Sequence, residues 1–189
     1  LGLEFEVKMK RPHILPELVA EGDIERLREA VRAHKSYKAS IPRDLLLIDT
    51  AVLTGMRRAE LAKLTVGCID LGRSRIKVTG KGRKDRVIPI GANLRDRLAN
   101  FCSTKADDEI VFGLNRHGLG IKIKQWANKA GVPIHTHSFR HYFATTLVER
   151  GANLRVVQEL LGHSSLQTTQ VYLSVTANHL EEAIGLLDE

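Results

Sequence analysis

The chain has 189 residues, 43% of them hydrophobic, and its 29 Lys and Arg against 22 Asp and Glu give a net charge of +7 and a sequence pI of about 9.6. That length supports one well-formed core, and the absence of any apolar run of roughly 18 residues argues against a membrane-spanning helix, so a soluble chain with no membrane partner is expected. The basic balance suits a polyanion, and two widely separated cysteines, Cys68 and Cys102, argue against a disulfide framework or a cysteine zinc site and fit a reducing cytoplasm.

Residues 1–16 read as a basic linker arm, in which Lys8, Lys10, Arg11 and His13 are interrupted by Pro12 and Pro16. The first residue is Leu1, so the arm is expected to belong to a longer protein, with residues 17–189 forming one domain. Asp23 is expected to cap a helix running through Ile24, Leu27, Ala30 and Val31. Ser40-Ile41-Pro42 opens a second helix that runs to Gly55 and buries Leu45, Leu46, Ile48, Ala51, Val52 and Leu53. The break at Gly55 places Arg57 just outside the core, with Glu60 three residues on to orient it; an ordinary solvated Arg–Glu pair has the same spacing.

Between residues 68 and 90 the hydrophobic period changes to two. Cys68–Leu71, Arg75–Thr79 and Arg86–Ile90 are expected to form a small antiparallel sheet, with Lys81 on the glycine-flanked hairpin between the last two strands. From Arg73 to Arg86, seven of fourteen residues are basic (Arg73, Arg75, Lys77, Lys81, Arg83, Lys84, Arg86), which marks the ribbon as a phosphate-contacting surface. Gly80-Lys81-Gly82 lacks the remaining spacing of a nucleotide-binding loop. Ala92 to Cys102 reads as an amphipathic helix with Leu94, Leu98 and Phe101 inward, and Glu109 to Phe112 as a short apolar stretch. A basic helix follows, about 119–130, with Ile123, Trp126 and Ala127 buried and Lys122, Lys124, Gln125 and Lys129 outward; this pattern fits a DNA-recognition helix and a plain surface helix equally.

The stretch from His135 to Tyr172 concentrates reactive side chains among apolar residues at helical spacing. His137 and Arg140 lie three apart at the front of a helix expected to end at Gly151, so their side chains are about 5–6 Å apart on one face. A second helix, with Leu154, Val157, Leu160 and Leu161 inward, stops at Gly162 and leaves His163 at a helix end. Ser164 and Gln167 have capping-box spacing, so a further helix is expected to deliver the Tyr172 hydroxyl near the histidines. A lone His-x-x-Arg or a lone tyrosine is ordinarily a packing feature; the spacing of the whole set is what points to chemistry. His135, His141 and Tyr142 are assigned to packing. A last helix, about 176–188, carries an apolar face from His179 to Leu187 that docks on its own domain or on a neighbour. The fold class is mainly α with a small antiparallel β-sheet (α+β).

Arg57 in Thr-Gly-x-Arg-x-x-Glu-Leu, Lys81 in a Gly-Lys-Gly hairpin, His137-x-x-Arg140-His, Leu-Leu-Gly-His163 and Tyr172 together resemble the tyrosine recombinase (phage integrase) family, particularly its Xer-like members. The likeness runs from Leu45 to Tyr172, with all five motifs in the family's order. It implies the family's catalytic-domain fold, preceded by a helical core-binding domain to which the basic arm would be the linker. It also implies site-specific cutting and rejoining of double-stranded DNA without metal or cofactor, by a dimer or tetramer on DNA that is a monomer without it. Tyr172 would attack the scissile phosphate to give a 3′-phosphotyrosyl link. Arg57 and Arg140 would hold the nonbridging oxygens, His137 and His163 would add hydrogen bonds or a proton relay, Lys81 would protonate the leaving 5′-oxygen, and Glu60 would stand behind Arg57. The carboxylates are too scattered for a two-metal nuclease. Three other readings share features of this sequence: a type IB topoisomerase-like enzyme, a DNA-binding module without activity, and a metal-dependent hydrolase built on His135, His137 and His163.

Overall fold

The structure is a computed structural model that describes residues 19–34, 38–80 and 85–162. Helix α1 spans Glu21–Arg32 and is capped at Ala20, not at Asp23. Asp23 occupies the third helical position and reaches back to accept the Ala20 N–H at 3.1 Å. An acidic side chain inside the first turn thus does a cap's work, which is why it reads as one in the sequence. Helix α2, Ile41–Thr54, starts with Pro42 where no amide donor is needed and ends at Gly55 in the left-handed region (φ +60°). It buries Leu46, Leu47, Ile48, Ala51 and Val52, but Leu53, expected inside, is 49% exposed. Leu53 falls off the buried stripe and borders a groove of about 300 Å³ shared with α1 and with Tyr142, Phe143 and Leu147.

The short helix α3, Arg58–Leu61, turns the chain toward the sheet. Strands β1 (Ile69–Asp70), β2 (Arg75–Thr79) and β3 (Asp85–Pro89) pair antiparallel in the order β1-β2-β3, with Ile76 opposite Ile88 and Val78 opposite Arg86. Cys68 is held in a 3₁₀ turn, Val66–Cys68, so β1 is shorter than expected. Ile76, Val78 and Ile88 cover the core, while Lys77, Thr79 and Val87 face out. Helix α4, Ala92–Cys102, has the expected bounds. Helix α5 begins at Arg116, ahead of the expected start near 119, because Asn115 caps it by accepting the Gly118 N–H at 2.8 Å; it runs to Ala130.

Helices α6 (Ser138–Glu149) and α7 (Leu154–Leu161) complete the described chain. The main core gathers α1, α2, the sheet, α4 and α5 around residues such as Leu27, Ile48, Ile76, Leu98, Ile123 and Phe139. A smaller cluster of Ala144, Val148, Val157 and Leu161 joins α6 to α7. Helix α6 also packs on α2, and α7 on β3, so four separate elements meet around the C-terminus of α7. Two buried carboxylates are paired as burial demands. Asp44 accepts the Trp126 indole N–H at 3.1 Å, and Asp49 bridges Arg28 at 2.8 Å and Arg97 at 2.6 Å. Among the described residues, no helix is long and apolar enough to cross a membrane.

Candidate active site

The last carbonyls of a helix have no partner within it, and at α7 the three consecutive ones are each taken by an arginine from a different part of the chain. Arg86 Nε of β3 donates to the Leu160 carbonyl at 2.8 Å, Arg140 Nη2 of α6 to the Leu161 carbonyl at 2.6 Å, and Arg57 Nη2 to the Gly162 carbonyl at 3.3 Å. Cations at a helix C-terminus also meet the negative end of its dipole. Gly162 permits this arrangement: its φ is +63°, and a Cβ there would lie 3.0 Å from Arg86 Cδ.

Arg57 and Arg140 are brought together across 83 residues of sequence (140 minus 57) by two glycines and one carboxylate. Arg140 is 6% exposed, and its Nη1 donates to the Gly55 carbonyl at 2.9 Å, so the glycine that ends α2 also anchors the α6 arginine. Arg57 occupies the N-cap position of α3, and Glu60 accepts both its N–H at 2.7 Å and its Nη1 at 3.0 Å. The Arg57 side chain is 36% exposed, so the rest of its fork remains open to an incoming anion. Glu60 therefore orients Arg57 as its spacing implied, and the solvated-pair alternative fails on burial, since the Glu60 side chain is only 5% exposed.

Glu60 has a second partner that the sequence reading assigned elsewhere. Arg86 was expected on the phosphate-contacting face of the ribbon, but its side chain is 10% exposed and grips both Glu60 oxygens at 2.8 Å. The correction follows from strand alternation: Arg86 is in phase with Ile88, so it points inward with it. Burial works to raise the Glu60 pKa, but the Arg86 and Arg57 hydrogen bonds and charges outweigh it and hold the carboxyl below its usual 4.5.

His137 lies at the N-cap position of α6, one residue before the helix proper, where its carbonyl receives the Arg140 and His141 amides at 3.1 Å. Its own N–H donates to His135 Nδ1 at 3.3 Å. Burial, and then the positive charges of His135, Arg58, Arg140 and Arg57, hold its pKa below the usual 6.5, so at neutral pH it is a neutral imidazole offering one donor and one acceptor. Arg58 escaped the sequence reading. Its guanidinium lies against Gly120 of α5, where a Cβ would meet Nη1 at 2.6 Å, and its charge acts on His137. His141 is half-buried, with burial again lowering its pKa. No group of three or more potential metal ligands occurs among the described residues.

On the ribbon, Arg73 and Arg75 both pair with Asp70, at 3.5 and 3.0 Å, and Lys77 with Asp85 at 3.0 Å. The ribbon is thus less positive than the run from residue 73 implied, because Asp70 stands across the β1–β2 turn, just outside that run. On α5, Lys122 and Lys129 sit over the Trp126 ring, 5.6 and 5.5 Å from its centroid, while Lys124 is exposed. Lys81, Arg83, Lys84, His163, Tyr172, the arm at 1–16 and the segment from His179 to Leu187 lie outside the described residues.

The arrangement suits an oxyanion: the part-exposed Arg57 fork is held from behind by Glu60 and the Gly162 carbonyl, the buried Arg140 is anchored on the Gly55 and Leu161 carbonyls, and His137 is a neutral imidazole under their charge. The phage integrase family model matches residues 18–179. Tyrosine recombinase XerA of Pyrococcus furiosus is 37% identical over 198 residues, spanning 97% of this chain and 67% of that protein. The crystal structure of XerA recombinase superposes with a TM-score of 0.75 at 28% identity, over 95% of this chain and 67% of that one. XerH site-specific recombinase, in a post-cleavage complex with its palindromic difH substrate, gives a TM-score of 0.70 at 28% identity, over 93% and 54%. The chain thus spans between about half and two thirds of these proteins. With the α+β fold, these findings establish that the chain belongs to the phage integrase family, as a Xer-like tyrosine recombinase catalytic domain.

Proposed function

We propose that this site holds the scissile phosphate of duplex DNA while Tyr172 attacks it, and that strand exchange proceeds through a 3′-phosphotyrosyl intermediate without metal or cofactor. The Tyr172 hydroxyl gives its proton to the relay of His137 and His163 as its oxygen bonds to phosphorus, the bond to the 5′-oxygen breaks, and that oxygen takes a proton from Lys81. Attack by the 5′-hydroxyl of a second strand reverses the step, so the phosphodiester energy is kept in the covalent link. Arg57 and Arg140 neutralise the charge that grows on the nonbridging oxygens, and His137 and His163 complete the donor set. His135 remains a packing neighbour of His137.

The observation that carries this reading is the convergence of Arg57 and Arg140 on adjacent carbonyls, Gly162 and Leu161, at the end of α7. Two guanidiniums anchored on adjacent carbonyls make a positive pocket, and phosphate is among the anions their forks match. In the cell the protein would work in the cytoplasm. Strand exchange between two DNA sites requires more than one protomer, so a dimer or tetramer forms on DNA from monomers, with the face from His179 to Leu187 as the contact. Lys122, Lys124, Lys129, Arg73, Arg75, Lys77, Arg83 and Lys84 hold DNA backbone around the site.

The direct test is Tyr172→Phe on a nicked DNA substrate. This variant should keep wild-type DNA affinity and form no covalent adduct, because only the nucleophilic oxygen is gone. An adduct formed by the variant would overturn the assignment.

A further inference from the structure

The phosphate clamp contains a third arginine that the proposed chemistry does not use. Arg86 reaches the site from β3 and commits its whole fork inward: Nη1 and Nη2 each donate to a Glu60 oxygen at 2.8 Å and Nε to the Leu160 carbonyl at 2.8 Å. With its side chain 10% exposed, it has no edge to offer DNA.

Glu60 carries one negative charge and serves two guanidiniums, Arg57 through Nη1 at 3.0 Å and Arg86 through both of its end nitrogens. A carboxylate facing a single arginine pairs with it fork to fork and neutralises it. By occupying both Glu60 oxygens, Arg86 limits the Arg57 side chain to one contact there and leaves its charge largely uncompensated. At the same time the Leu160 carbonyl locks the end of α7 against β3, and the neighbouring Leu161 and Gly162 carbonyls are the ones that steady Arg140 and Arg57.

We propose that Arg86 is a positioning residue for DNA cleavage: it competes with Arg57 for Glu60 and fixes the α7 terminus, so that the Arg57 guanidinium faces the phosphate charged and correctly aimed. This rests on the phosphate-clamp reading above. A group that orients a ligating side chain in this way commonly contributes about 10- to 100-fold.

The test compares wild type, Arg86→Met, Arg86→Lys, Arg57→Ala and the double variant Glu60→Gln/Arg86→Met, measuring single-turnover cleavage of a nicked DNA site, DNA affinity and its salt dependence. Arg86→Met should cleave at least about tenfold more slowly, with affinity and the slope of log affinity against log salt unchanged. Adding Glu60→Gln should restore part of that rate, because the amide no longer neutralises Arg57; a merely structural Arg86 would make the double variant slower still. Arg86→Lys keeps the charge but cannot hold three acceptors, so its rate should fall between wild type and Arg86→Met, and it carries the test if Arg86→Met does not fold. Wild-type cleavage by Arg86→Met or Arg86→Lys, a salt slope flattened by about one unit, or no recovery on adding Glu60→Gln would each overturn the proposal. Arg57→Ala separates the two ideas: if it cleaves normally, the clamp itself is wrong, whereas a dead Arg57→Ala beside an unimpaired Arg86→Met refutes the role of Arg86 alone.

Discussion

Replacing Glu60 by Gln changes one atom and should cost the protein a large share of its stability. The carboxylate is 5% exposed and accepts four hydrogen bonds: Oε1 from Arg57 Nη1 and Arg86 Nη1, Oε2 from the Arg57 amide and Arg86 Nη2. A glutamine can keep the pair at one end with its oxygen, but at the other its NH₂ confronts two N–H donors, and two guanidiniums lose their only described counter-charge. Removing one partner of a buried ion pair costs about 3–5 kcal/mol, against a total of roughly 5–15 kcal/mol for a domain. At about 2–4 °C per kcal/mol for a chain of this size, the melting temperature should fall by roughly 6–20 °C. The pH dependence identifies the cause. The folded-state pKa of Glu60 lies below its usual 4.5, so its contribution is complete above that value and is lost as pH falls through the folded-state pKa. Urea denaturation of both proteins between pH 7 and pH 3 should therefore show a gap that is widest at neutral pH and closes in acid. A gap under about 1 kcal/mol at pH 7, or one that persists unchanged in acid, would refute the shared-carboxylate account.

Gly162→Ala places a side chain at φ +63° and 3.0 Å from Arg86 Cδ, so it should lose about 1–2 kcal/mol to backbone strain and also slow cleavage; Gly151→Ala, at φ +78° with open space around it, should show the strain alone in thermal melts and cleavage assays. Neutralising Lys122 and Lys124 together should flatten the log-affinity against log-salt slope by about two units at roughly 0.9 per phosphate contact, and an unchanged slope would move the DNA surface off α5. Lys81→Ala should cleave ordinary DNA about 10²–10⁴-fold slowly yet recover when the bridging 5′-oxygen is replaced by sulfur, because a thiolate leaves without a proton, whereas Arg57→Ala and Arg140→Ala should not recover.

Much of this site was legible in the sequence because its positions are set by local rules. Gly55 marks the end of α2 and so places Arg57; the Arg57–Glu60 spacing is that of a helix first turn; and Gly162 marks the end of α7. What sequence spacing misses is pairing across elements. Arg86 belongs to a basic run, but strand alternation turns it inward with Ile88, and only the packing of β3 against α3 and α7 shows that Glu60 receives it. The same limit applies to Asp70, which neutralises Arg73 and Arg75 across a turn, and to Leu53, apolar yet on the α2 face turned toward the groove. Reading the phase of the strand, and not the composition of the ribbon, would have separated Arg86 from Lys77 and Arg75.

Catalysis by this site turns on which atom becomes bonded to DNA. Wild-type protein incubated with a nicked site in the presence of a metal chelator, then digested and mapped by mass spectrometry, should yield one nucleotide-bearing peptide, linked through a 3′-phosphate to Tyr172. A nucleotide on Tyr142 or on any other side chain, or an adduct that disappears when metal is chelated, would contradict it.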